Sequence, residues 1–165
     1  FGHGGVTGAA HLTDGDETLL RIEGLAESVA YRTGRLRALM GTGWEEAEGS
    51  ADRWREVRDV VPLHGGGGAV WRLHLKPSDA PGVLAALGGR AVIDWGGALV
   101  WLHLPEPRVA QVRAAVAAVG GHATLWRGEG GPVFPPEAPA VAALSAGLRA
   151  QFDPRGILNA GMMGA

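Results

Sequence analysis

Hydrophobic and polar positions alternate along Ala69–Leu75, and this alternation begins the clearest pattern in the chain. It places a tryptophan and two leucines on one face of a strand, and Arg72 and His74 on the opposite face. Apolar residues then recur at steps of three and four through 83–87 and again through 109–119, which is typical of amphipathic helices. Three more strand patterns lie at 90–95, 98–104 and 122–127.

The resulting order, βαββαβ, predicts a ferredoxin-like lobe with an antiparallel sheet. Gly96-Gly97 is typical of a two-residue hairpin turn. Ser78 is expected to cap the first helix of this lobe, and Pro107 to begin the second. Beside the turn, Asp94 is interpreted as a backbone cap. The neighbouring tryptophans, Trp95 and Trp101, are interpreted as core residues, with stacking on a ring system or on each other as the alternative.

The residues before this lobe show a looser pattern of the same kind, ββαβα. Leu25, Val29, Leu36 and Met40 predict a helix that ends at Gly41. The remaining predicted elements are a hairpin of 5–12 and 18–23, a short strand over 43–48, and a helix that Ser50 would cap.

The last part of the chain predicts a helix followed by a tight turn. Val141, Leu144, Leu148 and Phe152 share one helical face, and Asp153-Pro154-Arg155-Gly156 fits a type I turn. Ile157 and Leu158 follow as an apolar pair. The simplest interpretation is a buried terminus.

These patterns together predict the α+β class, with helices on one face of an antiparallel sheet and the other face left free. We expect one domain over 1–165, with lobes at about 1–64 and 69–127 and a helix and tail at 138–165. The chain opens at Phe1 without a methionine, so a fragment of a longer protein is expected.

Composition excludes several classes of function. The chain has no cysteine, so disulfides, thiolate metal sites and cysteine nucleophiles are absent. A formal charge of -2 gives no electrostatic case for nucleic acid. No apolar run reaches the roughly 20 residues of a membrane span. The histidines lack metal-ligand spacing, the glycine runs lack the residues of a phosphate loop, and no nucleophile motif supports a hydrolase.

Four segments in order carry a family resemblance. The helix and tail contain Phe-Asp-Pro-x-Gly-Ile-Leu-Asn-x-Gly, which resembles the carboxyl terminus of FAD-linked oxidases of the vanillyl-alcohol oxidase type. With the tail, three further segments resemble the FAD-binding accessory subunits of bacterial glycolate oxidases (glycolate dehydrogenases). These segments are Val70–Pro77, Ile93–Trp101, with Asp-Trp-Gly-Gly-Ala-x-x-Trp as the most specific motif, and Gly120–Arg127.

The resemblance implies the cap domain of a larger flavoprotein subunit that takes part in electron transfer. FAD is expected in the full-length parent, on an amino-terminal domain that this chain lacks, and not on this fragment, which is expected to be inactive alone. The implied partners are a catalytic flavoprotein subunit and an iron–sulfur subunit. The implied location is cytoplasmic, with any membrane association made through that complex.

Three residues are candidates for cofactor contacts, and no catalytic or metal-binding residue is predicted. Arg72 could offer its guanidinium to a carboxylate or phosphate if the free sheet face roofs the flavin, or it could be a solvated surface charge. By resemblance, the tail carrying Asn159 approaches the flavin domain, and Arg127 ends a strand beside that tail. A structural hydrogen bond is the alternative for both residues.

A second class of function stays open. A stand-alone ferredoxin-like module could bind a small ligand or self-associate through its free sheet face, because the fold alone does not distinguish these functions.

Overall fold

The computed structural model describes residues 6–47, 49–159 and 162, and a six-stranded antiparallel sheet forms its centre. The strands are β1 (Gly8–Leu12), β2 (Glu17–Arg21), β3 (Ala69–His74), β4 (Arg90–Asp94), β5 (Leu99–Leu104) and β6 (His122–Arg127). The α-helices of the described residues are α1 (Ala26–Met40), α2 (Ser50–Arg58), α3 (Ala80–Leu87), α4 (Val109–Ala118) and α5 (Pro139–Phe152). Short 3-10 turns lie at Val61–Leu63 and Trp95–Gly97.

The strand order is β2-β1-β4-β5-β3-β6, and its last four strands form the predicted ferredoxin-like unit. In chain order these elements are β3, α3, β4, β5, α4 and β6, with β3 in the centre between β5 and β6. The α+β class and the βαββαβ order are therefore confirmed.

The main core lies between this sheet and the two helices α3 and α4. The indole of Trp71 on β3 is fully buried there, and its Nε1–H donates to the carbonyl oxygen of Pro107 at 2.9 Å. Burial of large apolar side chains is the main stabilising contribution to such a layer. The other central members of this core are Leu73, Leu102, Leu104, Val112 and Val116.

A second core lies on the opposite face of the sheet, which corrects the prediction that helices cover one face only. Val57 of α2 and Leu63 of the 3-10 turn pack there against Leu12 of β1 and Val92 of β4. Among the described residues, no helix packs on the remaining part of this face, on β5, β3 and β6. Only part of the predicted free face is therefore free.

The first lobe does not form a sheet of its own. β1 pairs with β4, His11 lying opposite Ile93, so the predicted hairpin extends the ferredoxin-like sheet. The short strand expected over 43–48 is wrong: the described residues of that segment, 43–47, contain no strand. Residues 43–47 are all exposed, so this segment buries no face that would favour a strand. Gly5 and Glu48 lie outside the described residues.

Several predicted element ends differ by one or two residues. Asp79, rather than Ser78, occupies the position before α3, and Gly49, rather than Ser50, the position before α2. Pro107 precedes Arg108, the residue before α4, instead of beginning that helix. The turn between β4 and β5 has four residues, Trp95–Ala98, where two were expected.

Two helices have no buried residue among those described, α1 and α5. The predicted stripe of α5 is exposed, with Leu144 at 71% and Phe152 at 77%. The predicted turn is present, because the Gly156 N–H donates to the carbonyl oxygen of Asp153 at 3.0 Å. Ile157 and Leu158 are exposed as well, so the interpretation of a buried terminus is wrong for this apolar pair.

Replacement of the central tryptophan tests the main core. Trp71→Ala is expected to lower the free energy of unfolding by about 3–5 kcal/mol, because it leaves a cavity between the sheet and its helices. Trp126→Ala is the matched control: Trp126 is 64% exposed, and the change is expected to cost about 1 kcal/mol. Urea unfolding followed by circular dichroism measures both, and equal losses would contradict the assignment of the core.

Candidate functional site

The part of the sheet that no helix covers is called here the open face, and its centre is Arg72. Residues alternate along β3, β5 and β6, so the neighbours of the buried Trp71, Leu102 and Leu125 point the other way. The register places Trp101 of β5 and Thr124 of β6 on either side of Arg72. The adjacent row of the face consists of Leu99, His74 and His122.

Aromatic rings surround this centre. The guanidinium carbon of Arg72 lies 5.7 Å from the ring centre of Trp101, a cation–π distance. Trp101 meets Trp126 edge to face, with ring centres 5.2 Å apart and an angle of 88° between the planes. His74 lies 5.9 Å from the ring of Trp95. The face is therefore an aromatic surface with one cation at its centre.

A segment that crosses the sheet bounds the open face at one end. The guanidinium of Arg127 donates to the carbonyl oxygens of Leu63 and His64, both at 3.2 Å. An imidazole nitrogen of His103 lies 2.8 Å from the carbonyl oxygen of Gly67. The two side chains hold the crossing segment against the sheet.

Among the described residues, Arg72 forms no ion pair and no side-chain hydrogen bond. A partly buried guanidinium keeps several N–H donors in fixed directions, so this group can receive a planar anion or a pair of carbonyl oxygens. The guanidinium of Arg72 is therefore the main ligand-binding group of the open face.

The same environment keeps His74 neutral over a wider pH range. Burial lowers the pKa of His74 first, and the charges of Arg72 and His122 lower it further. Since the folded pKa lies below the ordinary value, the unfolded chain takes up the proton first as pH falls. The contribution of His74 to stability is therefore present above the unfolded pKa and is lost as the pH falls below it.

The turn beside this face holds Trp95 in an uncommon backbone conformation. Trp95 has a φ of 53°, and its N–H donates to the Asp94 carboxylate at 2.7 Å, so the predicted cap is confirmed. Gly97 has a φ of 103° and lies against Pro77, where a Cβ would come within 3.0 Å. The interpretation of Trp95 as a core residue is wrong, because 61% of it is exposed. Trp101 is only partly buried.

The three predicted site residues lie in different settings. Arg72 is at the centre of the open face, and Arg127 lies at its bounded end with its hydrogen bonds directed to backbone. Asn159 is exposed in the turn after α5, where its carbonyl oxygen accepts from the Met162 N–H at 3.0 Å. Among the described residues, no hydrogen bond joins Asn159 to the open face. Cofactor contacts of all three stay predictions.

Sequence reasoning missed the contribution of β6 to this face. Thr124 is buried beside Arg72, and Trp126 packs on Trp101. The alternation of His122, Thr124 and Trp126 with small and apolar residues was the signal that could have identified them. The setting of Arg127 had no such signal, since it depends on a bulge: Trp71 lies opposite Leu125, but Val70 lies opposite Arg127.

Two further features are absent from the described ranges. No group of three or more His, Cys, Asp or Glu side chains there could hold a metal ion. No helix of those ranges is long and apolar enough to cross a membrane.

A comparison with curated proteins identifies a relative. The chain is 37% identical to glycolate oxidase subunit GlcE of Escherichia coli (strain K12) over 123 residues, which is 73% of this chain and 33% of that protein. The chain is similar to a fragment of a glycolate oxidase subunit. The resemblance predicted from the four ordered segments is therefore confirmed.

The chain spans about a third of the length of this GlcE relative. No family model matches the sequence. No solved structure matches it either. The description of the fold therefore uses no solved relative.

Arg72→Gln is expected to raise the pKa of His74 toward its ordinary value, because it removes one of the positive charges that disfavour the imidazolium. NMR titration of the His74 ring protons measures the shift. Arg90→Gln, on β4 and paired with Asp14, is the control and should leave the His74 titration unchanged. An unchanged His74 pKa in Arg72→Gln would contradict the proximity of the two groups.

Gly97→Ala is expected to destabilise the protein by about 1–2 kcal/mol, since alanine at a positive φ is strained and its Cβ would press on Pro77. Gly82→Ala, in α3 with open space around it, should instead stabilise by about 0.5–1 kcal/mol. Thermal unfolding of the two variants measures this difference in sign. A stabilised Gly97→Ala protein would contradict the turn geometry.

Proposed function

We propose that this chain is the cap domain of the accessory subunit of a FAD-dependent 2-hydroxy-acid oxidoreductase, acting on glycolate through its complex. In this proposal the FAD is held by another domain of the full-length subunit, and the open face covers the exposed edge of the flavin. The similarity to a glycolate oxidase subunit supports the family, and the open face supports the role of a cover.

The observation that supports the proposal most is that Arg72 is partly buried and has no anionic partner among the described residues. An arginine without an anionic partner, partly buried on an aromatic surface, is costly unless a ligand or a neighbouring domain completes its hydrogen bonds. Arg72 lies over the ring of Trp101 and beside the buried Thr124, a setting that differs from that of a fully solvated surface charge.

The residues of the open face fit a flavin. A planar ring system with polar oxygens along one edge suits apolar and aromatic side chains beside a guanidinium donor. Arg72 would hold the polar edge, while Trp101 and Trp126 exclude water from the ring. Bound FAD would supply the transfer of electrons. His74, kept neutral, would add a hydrogen-bonding group without adding charge.

The exposed apolar side chains of α5 and its tail support a second contact within the same subunit. Leu144, Leu148, Phe152 and Ile157 are all more than half exposed. Contiguous apolar surface of this kind marks an interaction site. We place the rest of the subunit there, with Asn159 directed toward the flavin domain and Arg127 keeping the crossing segment in place.

The role of the open face in flavin binding is tested on the complete subunit. It is expected to purify with bound flavin, and Arg72→Gln is expected to weaken flavin retention or shift its reduction potential, with Arg90→Gln as the matched control. Flavin absorbance during dialysis and a spectroelectrochemical titration measure these effects. Identical flavin binding and potential in Arg72→Gln would contradict the role of the open face.

Partner binding is tested separately. The complete subunit is expected to co-purify with a catalytic flavoprotein subunit and an iron–sulfur subunit, and to support oxidation of glycolate only in their presence. A complete gene that encodes no flavin domain upstream of this region would overturn the proposal.

The alternative of a stand-alone module makes an opposite prediction for the present chain. A cap domain alone should show no stabilisation by amino acids in a thermal-shift screen. A defined dimer in size-exclusion chromatography that an amino acid stabilises would favour the alternative.

A further inference from the structure

A cleft of about 510 Å³ lies between α2, the beginning of β1 and the Trp95 turn. Its floor includes residues 6–9. Gly8 matters there, because a Cβ at this position would lie 3.3 Å from the indole of Trp54. Clefts of this size are typical of small-molecule sites.

Positively charged groups dominate the lining of this cleft. Ala51, Trp54, Arg55 and Arg58 recur at helical steps, so α2 directs them toward one side. Arg21 of β2 adds a third guanidinium, 5.8 Å from the ring of Trp54. Asp94 is the one carboxylate among the described residues that line the cleft, and it already accepts from the Trp95 N–H.

The three arginines have carboxylate partners, but these pairs leave donors available. Arg55 pairs with Asp52, Arg58 with Asp59 at 2.7 Å, and Arg21 with Glu23 at 2.5 Å. The side chains of all three pairs are more than 40% exposed, and such surface pairs stabilise little. Each guanidinium has five N–H donors, so a multiply charged anion can bind without breaking every pair.

Two indoles line different walls of the cleft. Trp54 projects from α2, and Trp95 projects from the turn. The left-handed backbone of Trp95 is costly for a bulky residue, and strain of this kind is concentrated at binding sites. This backbone conformation keeps the indole of Trp95 exposed, although a tryptophan is ordinarily expected to pack in the core.

We infer that this cleft binds a nucleoside phosphate, with the base against the indoles of Trp54 and Trp95 and the phosphate at Arg55, Arg58 and Arg21. Indoles stack on any nucleobase, and arginines bind phosphate through paired donors. The site is distinct from the open face, because Trp95 stands between them and contacts His74 on the other side.

ADP is the first probe, titrated into the chain and followed by isothermal titration calorimetry and tryptophan fluorescence. Saturable binding with quenched fluorescence is expected. Arg55→Gln/Arg58→Gln should weaken it by about tenfold or more, since charged hydrogen bonds are lost. Trp95→Ala should weaken ADP binding and remove part of the quenching. Higher salt should weaken binding to the wild-type chain.

Three controls make the result decisive. Arg72→Gln, on the open face, should leave ADP binding unchanged, so this site can fail independently of the proposed function. Adenosine and inorganic phosphate should each bind more weakly than ADP. Circular dichroism checks that every variant is folded. If the double arginine variant does not fold, Arg58→Lys replaces it, because lysine keeps the positive charge.

Several results would overturn the inference. These are the absence of saturable ADP binding, equal affinity in the arginine variants, or loss of binding in Arg72→Gln, which would move the ligand to the open face. Phosphate binding as tight as that of ADP would make the cleft a site for simple anions and remove the role of the indoles.

Discussion

The alternation of side chains along β3 is the constraint on which the rest of this structure depends. β3 lies between β5 and β6, so its main chain is fully paired and each residue must point to one face or the other. Trp71 and Leu73 fill the core beneath α3 and α4, which directs Arg72 and His74 to the opposite face. A charged group is thereby placed at the centre of a sheet, where it can meet a ligand but cannot move far.

The extent of the open face depends on how the first lobe packs. α2 and the Val61–Leu63 turn cover β1 and β4 and stop there, and Arg127 and His103 hold the crossing segment at one end of the face. Covering the whole face would bury Arg72 without a partner, which is unfavourable. The partial cover leaves an aromatic surface of defined limits, and it also creates the cleft beside Trp95 on the far side of the turn.

Unpartnered surfaces and the comparison with GlcE support the same interpretation. The chain matches about a third of that protein, and it exposes apolar side chains along α5. Together with the open face, they provide two surfaces suited to the remainder of a larger subunit. Under the proposed function, both surfaces belong to a cover whose contacts are completed by the rest of the subunit.

The sequence by itself determined the βαββαβ order, the two faces of β3, the Asp94 cap and the turn at Asp153–Gly156, because each depends on neighbours within a few residues. It also carried the resemblance, since the ordered motifs are local. Only the tertiary structure decided that the hairpin extends the same sheet and that a bulge turns Arg127 toward the Leu63 carbonyl. The exposure of Trp95 and of α5 was decided there too. Burial and register depend on residues far apart in the chain, whose pairing energies no local pattern reports.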